Sequence, residues 1–231
     1  MGSIVHCAAI KKPDPIYPIR DANFRYPRGR GSNNWRLGHL PGLRQTERGG
    51  VASSMQYQVI LADPPGSWKS WSAKGEGRSA KQHYTFMEPV DLCDLPVADR
   101  AATDCVLFMW CISSMLNDAL RLVDAWGFTY KTVGFCWVKT NNKSGSLFWG
   151  LGYHTRQNAE LCLLATRGKP KRKSGGVHQI IMSPRRQHSR KPDEIYERIE
   201  ALYPGPYLEM FSRTDRAGWD AMGNEAGRWS A

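Results

Sequence analysis

Tyr57-Gln58-Val59-Ile60-Leu61-Ala62-Asp63-Pro64-Pro65-Gly66 is the stretch that decides how this chain folds. Its first six residues form an apolar, β-rich run that the proline pair ends abruptly, so Tyr57–Ala62 reads as a buried strand. Neither Pro64 nor Pro65 has an N–H to give to a sheet ladder, and each ring fixes its own φ. Asp63 and the carbonyls after it are therefore held stiffly at a strand's carboxyl end, where open α/β sheets place their ligands. The product is a row of acceptors. A flat amino group on a heteroaromatic ring complements it, having two N–H donors, an aromatic face and no net charge.

Outward from this junction the chain reads as alternating strands and helices. A Gly/Ser/Lys-rich loop covers 66–82, a second strand runs Asp104–Trp110, and a helix at about 113–126 is ended by Gly127. A third strand spans about 129–138, Trp149–Asn158 is loop, and Ala159–Thr166 is another apolar strand. After the basic loop Arg167–Lys173 come a short strand near His178–Met182 and a helix at about 192–202. The final strand is expected at about Tyr207–Phe211. Such alternation predicts a largely parallel sheet with helices on both faces. Residues 1–54, rich in Pro, Gly, Arg and Asn and without helical or strand period, read as a loosely ordered basic arm ahead of one domain over 55–231.

The 231 residues carry a formal net charge of +11. Its clustering in the arm and in the loops Arg167–Lys173 and Arg185–Lys191 points to phosphate contacts and a nucleic-acid partner. No apolar run is long enough for a membrane span, and no secretory signal is expected. Six scattered cysteines, with no Cys-x-x-Cys pair and no histidines at zinc spacing, read as reduced and structural, and no metal site is expected. No glycine fingerprint for a dinucleotide pyrophosphate follows any strand.

Further segments stand in order along the chain: His83-Tyr84-Thr85-Phe86-Met87, Leu107-Phe108-Met109-Trp110, Trp137-Val138-Lys139-Thr140-Asn141 and Asn158-Ala159-Glu160-Leu161-Cys162. After them come Lys191-Pro192-Asp193-Glu194-Ile195-Tyr196, Glu209-Met210-Phe211-Ser212-Arg213 and Gly218-Trp219-Asp220-Ala221-Met222-Gly223-Asn224-Glu225. With Ala62-Asp63-Pro64-Pro65 they resemble the MT-A family, that of the catalytic subunit of the mRNA N6-methyladenosine writer, which includes bacterial and phage DNA adenine methyltransferases. The resemblance covers about Tyr57 to Arg228. It implies a Rossmann-like methyltransferase fold in permuted motif order, with S-adenosylmethionine as cofactor. It also implies methylation of the N6 amine of adenine, in DNA before RNA. Cytosine-N4 methylation and a catalytically weak, nucleic-acid-binding partner subunit are the competing readings. A cytoplasmic location in a bacterial or phage-infected cell, or a nuclear one in a eukaryote, follows from the same likeness, as does a homodimer or pairing with a related subunit.

Site residues carry over position by position. Asp63 with Pro64 and Pro65 would hold the amine, and Asp63 would also face the cofactor. Lys191 is placed near the cofactor carboxylate, Glu209 and Arg213 around its ribose region, and Asn224 and Glu225 near ribose or adenine, with Phe211 also among the cofactor-binding residues. Tyr84, Lys139, Asn141 and Glu160 fall on the acceptor side. One departure stands out: the family has an aromatic residue after Asp-Pro-Pro, and here Gly66 takes that place. Either Trp68, two residues on, supplies the stacking face, or the clamp is weakened. Met109 and Trp110 read as core.

Overall fold

The computed structural model describes residues 55–65, 87, 89–186, 190–213 and 215–223. The expected arm 1–54 lies outside the described residues, as do Gly66, Trp68, Tyr84, Asn224 and Glu225. Seven strands form one sheet: β1 (Tyr57–Ala62), β2 (Ala101–Cys111), β3 (Thr129–Thr140), β4 (Ala159–Arg167), β5 (Ile180–Pro184), β6 (Tyr207–Met210) and β7 (Trp219–Met222). Their order is β5-β3-β4-β2-β1-β6-β7. β1 pairs in parallel with β2 and β6, β6 with β7, and β3 with β5; β4 alone is antiparallel, to both its neighbours. The largely parallel sheet expected from the sequence is present. β7, four residues that close the sheet beyond β6, is an addition: the sequence reading ended the strands at Tyr207–Phe211.

Alternation of side chains across β1 and β2 feeds two cores. Ile60, Ala62, Leu107 and Met109 point to one face, and Val59, Leu61, Val106, Phe108 and Trp110 to the other. Tyr57 breaks the parity by joining the first core. The pairing of β1 with β2 is irregular at the same place, between Tyr57 and Val59, where two residues of β1 face five of β2.

Helices cover both faces. On the first lie α1 (Pro89–Cys93) and α2 (Leu116–Ala125), the latter entered through a 3-10 turn at Ser113–Met115. Ala119, Leu122 and Val123 give α2 its buried stripe at helical spacing. It ends in a Schellman turn, with Gly127 N–H on the Asp124 carbonyl and Phe128 N–H on the Val123 carbonyl, both at 3.0 Å. The other face receives α3 (Glu194–Leu202) through Ile195, Tyr196 and Ile199. From α3, the Arg198 guanidinium donates to the carbonyls of His178 and Ile180, covering part of the exposed edge at β5.

Because β4 runs backwards, its two ends open on opposite sides of the sheet from those of its neighbours. The segment 141–158 between β3 and β4 emerges at the carboxyl ends of the parallel strands, beside Asp63. The basic loop Arg167–Lys173 emerges at the far end. There Arg167 donates to the Ala98 carbonyl at 2.7 Å, and Lys173 Nζ donates to the Glu200 carbonyl at 2.8 Å, near the negative end of α3. Of the two basic loops singled out in the sequence, only Arg185–Lys191 begins at the Asp63 end.

Candidate active site

From β1 the chain proceeds to β2 on one side, passes on to β3, turns back into β4 between them, places β5 at the edge, and returns to β6 on the other side of β1. The carboxyl ends of β1 and β6 therefore flank the point where strand order reverses, which is where a ligand crevice opens in such sheets. A pocket lies there, lined by Asp63, Trp110, Lys191, Tyr196, Glu209 and Phe211, with Arg190, Asp193, Arg213 and Arg216 at its polar side.

Four charged side chains form an alternating chain along one wall. Lys191 Nζ lies 2.7 Å from Asp63 Oδ2 and 3.3 Å from Glu160 Oε2, and Lys139 Nζ bonds Glu160 Oε1. β1, β4, β3 and the segment leading into α3 contribute one member each, so four separate elements must register to make it. Glu160 is only 8% exposed. Burial by itself would raise its pKa, but Lys191 and Lys139 outweigh that and hold it below the ordinary carboxylate value. For Lys191 the signs reverse: burial would depress the ammonium, and Asp63 and Glu160 together lift it above its usual value.

The second wall is built on β6. Glu209 accepts from the Tyr196 hydroxyl at 2.8 Å and from the Ser212 hydroxyl at 2.9 Å. Burial nevertheless pushes its carboxyl up from the ordinary value. Phe211 follows with φ 63°, a conformation that costs a bulky residue energy. Its N–H donates to the Met222 carbonyl, and Gly223 packs against the same turn. A Cβ at Gly223 would stand 2.8 Å from the Ser212 carbonyl oxygen and 3.0 Å from the Phe211 carbonyl carbon, so β7 can seat here only with glycine at its end.

Asp193, at the start of α3, shows why this segment is stiff. The sequence placed it inside the first turn, yet its carboxylate makes no cap; it gathers Arg186 at 2.7 Å, Arg190 at 3.4 Å and Arg216 at 3.7 Å. Arg186 also donates to the Lys191 carbonyl at 2.8 Å, and Arg216 stacks on the Tyr196 ring at 4.0 Å. Arg186 and Arg190 reach Asp193 from the segment just before α3, whereas the Arg216 pair closes only when α3 and the turn after β6 meet.

The expected site residues thus divide. Asp63, Lys139, Glu160 and Lys191 come together in the ionic chain, and Glu209, Phe211 and Arg213 line the facing pocket. Asn141 stays apart: its side chain donates to Ser146 Oγ at 3.0 Å and to the Leu147 carbonyl at 3.2 Å, fixing a turn in the 141–158 loop. Pro65 turns its carbonyl to the Met87 N–H at 3.0 Å, which ties the two ends of segment 66–86 together. Trp110, read from sequence as core, lines the pocket beside Lys191, and its buried indole N–H has no partner among the described residues. The cysteines at 93, 105, 111, 136 and 162 are free thiols, and burial raises the pKa of each, so none is an activated nucleophile. Among the described residues no group of His, Cys, Asp or Glu is arranged to hold a metal ion, and no helix is long and apolar enough to cross a membrane.

The chain is similar to several named proteins. It is 31% identical over 188 residues to the Type II methyltransferase M.MunI of a Mycoplasma species, a match spanning 74% of this chain and 78% of that protein. It is 30% identical over 174 residues to the N(6)-adenosine-methyltransferase MT-A70-like protein of Arabidopsis thaliana, and 27% over 175 residues to the human N(6)-adenosine-methyltransferase catalytic subunit. Those two matches cover 24% and 28% of the respective proteins, so the chain spans about a quarter of these plant and human relatives. The MT-A70 family model matches residues 57–225, from the first residue of β1 to just beyond Gly223, and so takes in both walls of the pocket: the chain belongs to the MT-A70 family.

Proposed function

We propose that this chain transfers a methyl group from S-adenosylmethionine to the N6 amine of adenine in nucleic acid, with DNA preferred to RNA. The observation that carries the reading is Asp63, set at the carboxyl end of β1 by the proline pair and held through Oδ2 by Lys191. With Oδ2 engaged, Oδ1 and the Pro64 carbonyl are the acceptors assigned to the two amine hydrogens. The N6 lone pair is delocalised into the ring and is a poor nucleophile. Two acceptors set out of the ring plane turn that lone pair away from conjugation and stabilise the positive charge that grows on nitrogen. The base must leave its stack to reach this pocket.

The pocket fits the cofactor by the chemistry of its donors and acceptors. Asp63 suits the ammonium, Lys191 and the arginines the carboxylate, Glu209 the ribose hydroxyls and Phe211 the flat adenine. The unpartnered Trp110 N–H is a buried donor of the kind a bound polar group satisfies. When bound, S-adenosylmethionine supplies an electrophilic sulfonium methyl. Likeness to a bacterial Type II methyltransferase over most of both chains supports DNA as the preferred polymer. Mass spectrometry of nucleosides from cells expressing the wild type or Asp63→Ala tests the proposal. N6-methyladenine in DNA is expected from the wild type alone; N4-methylcytosine, or a mark confined to RNA, would overturn the corresponding part.

A further inference from the structure

The loop 141–158 links Lys139 at the end of β3 to Glu160 at the start of β4, so it springs from the acceptor side of the ionic chain. Four large apolar residues in it alternate along the backbone and face solvent: Leu147, Trp149, Leu151 and Tyr153, with Trp149 74% and Tyr153 75% exposed. Hydrophobic content concentrated in this way marks a binding surface rather than ordinary surface scatter. The loop is also folded back on itself. A Cβ at Gly150 would lie 1.6 Å from the Gln157 carbonyl oxygen, an overlap only glycine avoids, so the aromatic residues are presented from a compact turn. Cations accompany the rings. The Arg156 guanidinium sits 5.4 Å from the Trp149 ring centre, and Arg185, from the basic loop after β5, lies 4.0 Å from that of Phe148.

We infer that this loop is a stacking platform for the unpaired nucleotides next to the target adenine, with Trp149 as its principal face. The inference rests on the nucleic-acid reading proposed above and adds a second subsite to it. Exposed aromatic faces interleaved with guanidinium groups match the two parts of a single strand, bases and phosphates. The charge of +11 favours that occupant over an apolar protein surface. Position decides which bases are held: the loop begins and ends at residues of the ionic chain, so it meets the strand where that strand enters the acceptor pocket.

Binding of a fluorescent single-stranded oligonucleotide with one central adenine, measured beside the same strand with abasic flanks, tests the platform. Trp149→Ala should weaken binding of the intact strand by about 5- to 150-fold, the range for loss of one stacked base. On the abasic-flank strand, wild type and variant should bind alike. Trp149→Phe should restore part of the loss, and S-adenosylhomocysteine affinity, followed by calorimetry, should stay unchanged. Equal loss on both strands, or no loss on either, overturns the platform. So does sedimentation in which Trp149→Ala turns a dimer into a monomer while strand affinity holds, since the loop then belongs to a second copy of the chain. Methylation by the wild type separates the two proposals. An active wild type with a silent Trp149→Ala sinks the platform alone, whereas flank-dependent binding by an enzyme that methylates no adenine sinks the proposed reaction alone.

Discussion

Asp63 and Glu160 are both carboxylates touching Lys191, and their surroundings set them different tasks. Asp63 is partly open to the pocket, so Asp63→Ala should lower kcat by about 10²-fold or more, as for loss of a preorganised polar group, with a much smaller change in S-adenosylhomocysteine affinity. Lys191→Ala separates two roles. If Lys191 only met the cofactor carboxylate, kcat at saturating cofactor would survive. Because it also holds Asp63 at 2.7 Å, kcat should fall by about tenfold or more even at saturation, alongside weaker cofactor binding. Glu160 is buried between two lysines, so Glu160→Gln leaves Lys139 without a carboxylate and Lys191 with Asp63 alone, and should cost about 3 kcal/mol at pH 7 in urea unfolding. Its folded pKa lies below the unfolded value of about 4.3, so this stabilisation is complete above that pH. It is lost as pH falls through the folded pKa, and the variant should show a flatter stability profile below about pH 4.3. Asp63 was legible in the sequence because two prolines announce it. Trp110 was legible as core, where it packs, but not as pocket wall, since an apolar strand offers the same letters in both cases.

Among the elements, those marked by local chemistry were readable. β1 has the expected limits because the prolines stop it, and α2 ends where Gly127 permits a Schellman turn. What the sequence withheld depended on partners distant in the chain. β7 is only four residues long, with no run of its own to announce it; it becomes a strand by pairing with β6 over Tyr207–Trp219 to Met210–Met222. The reversal of β4 is equally silent, because a buried strand reads alike in either direction. β7 offers a test of how the second wall is held. Gly223→Ala would drive a methyl group into the backbone of Phe211 and Ser212, atoms that cannot rotate away as a side chain could. S-adenosylhomocysteine affinity should drop by about tenfold or more, while far-UV circular dichroism stays that of the wild type. An unchanged affinity would detach β7 from the cofactor wall.

For the molecule as a whole, charge counts by where the sheet delivers it. Lys169, Lys171 and Arg172 stand at the opposite end of β4 from Glu160, whereas Arg185 and Arg190 stand at the pocket end. Replacing the first three with Ala should leave the salt dependence of oligonucleotide binding near that of the wild type. Replacing Arg185 and Arg190 should lower the slope by about 0.7 for each phosphate of a single strand that is no longer neutralised. Equal effects from the two sets would mean that the strand tracks the whole basic surface. The single backward strand also separates what can change from what cannot. The connections between parallel strands must carry the chain from one end to the other, so altering them shifts the strands that hold the chemistry, and the β4–β5 connection stays at the far end. The β3–β4 connection alone leaves and re-enters on the pocket side, and can lengthen, shorten or exchange its rings without moving Asp63. Natural variation in which neighbouring bases are preferred should therefore accumulate in that one hairpin, and transplanting it between relatives should carry sequence preference across while leaving the methyl transfer intact.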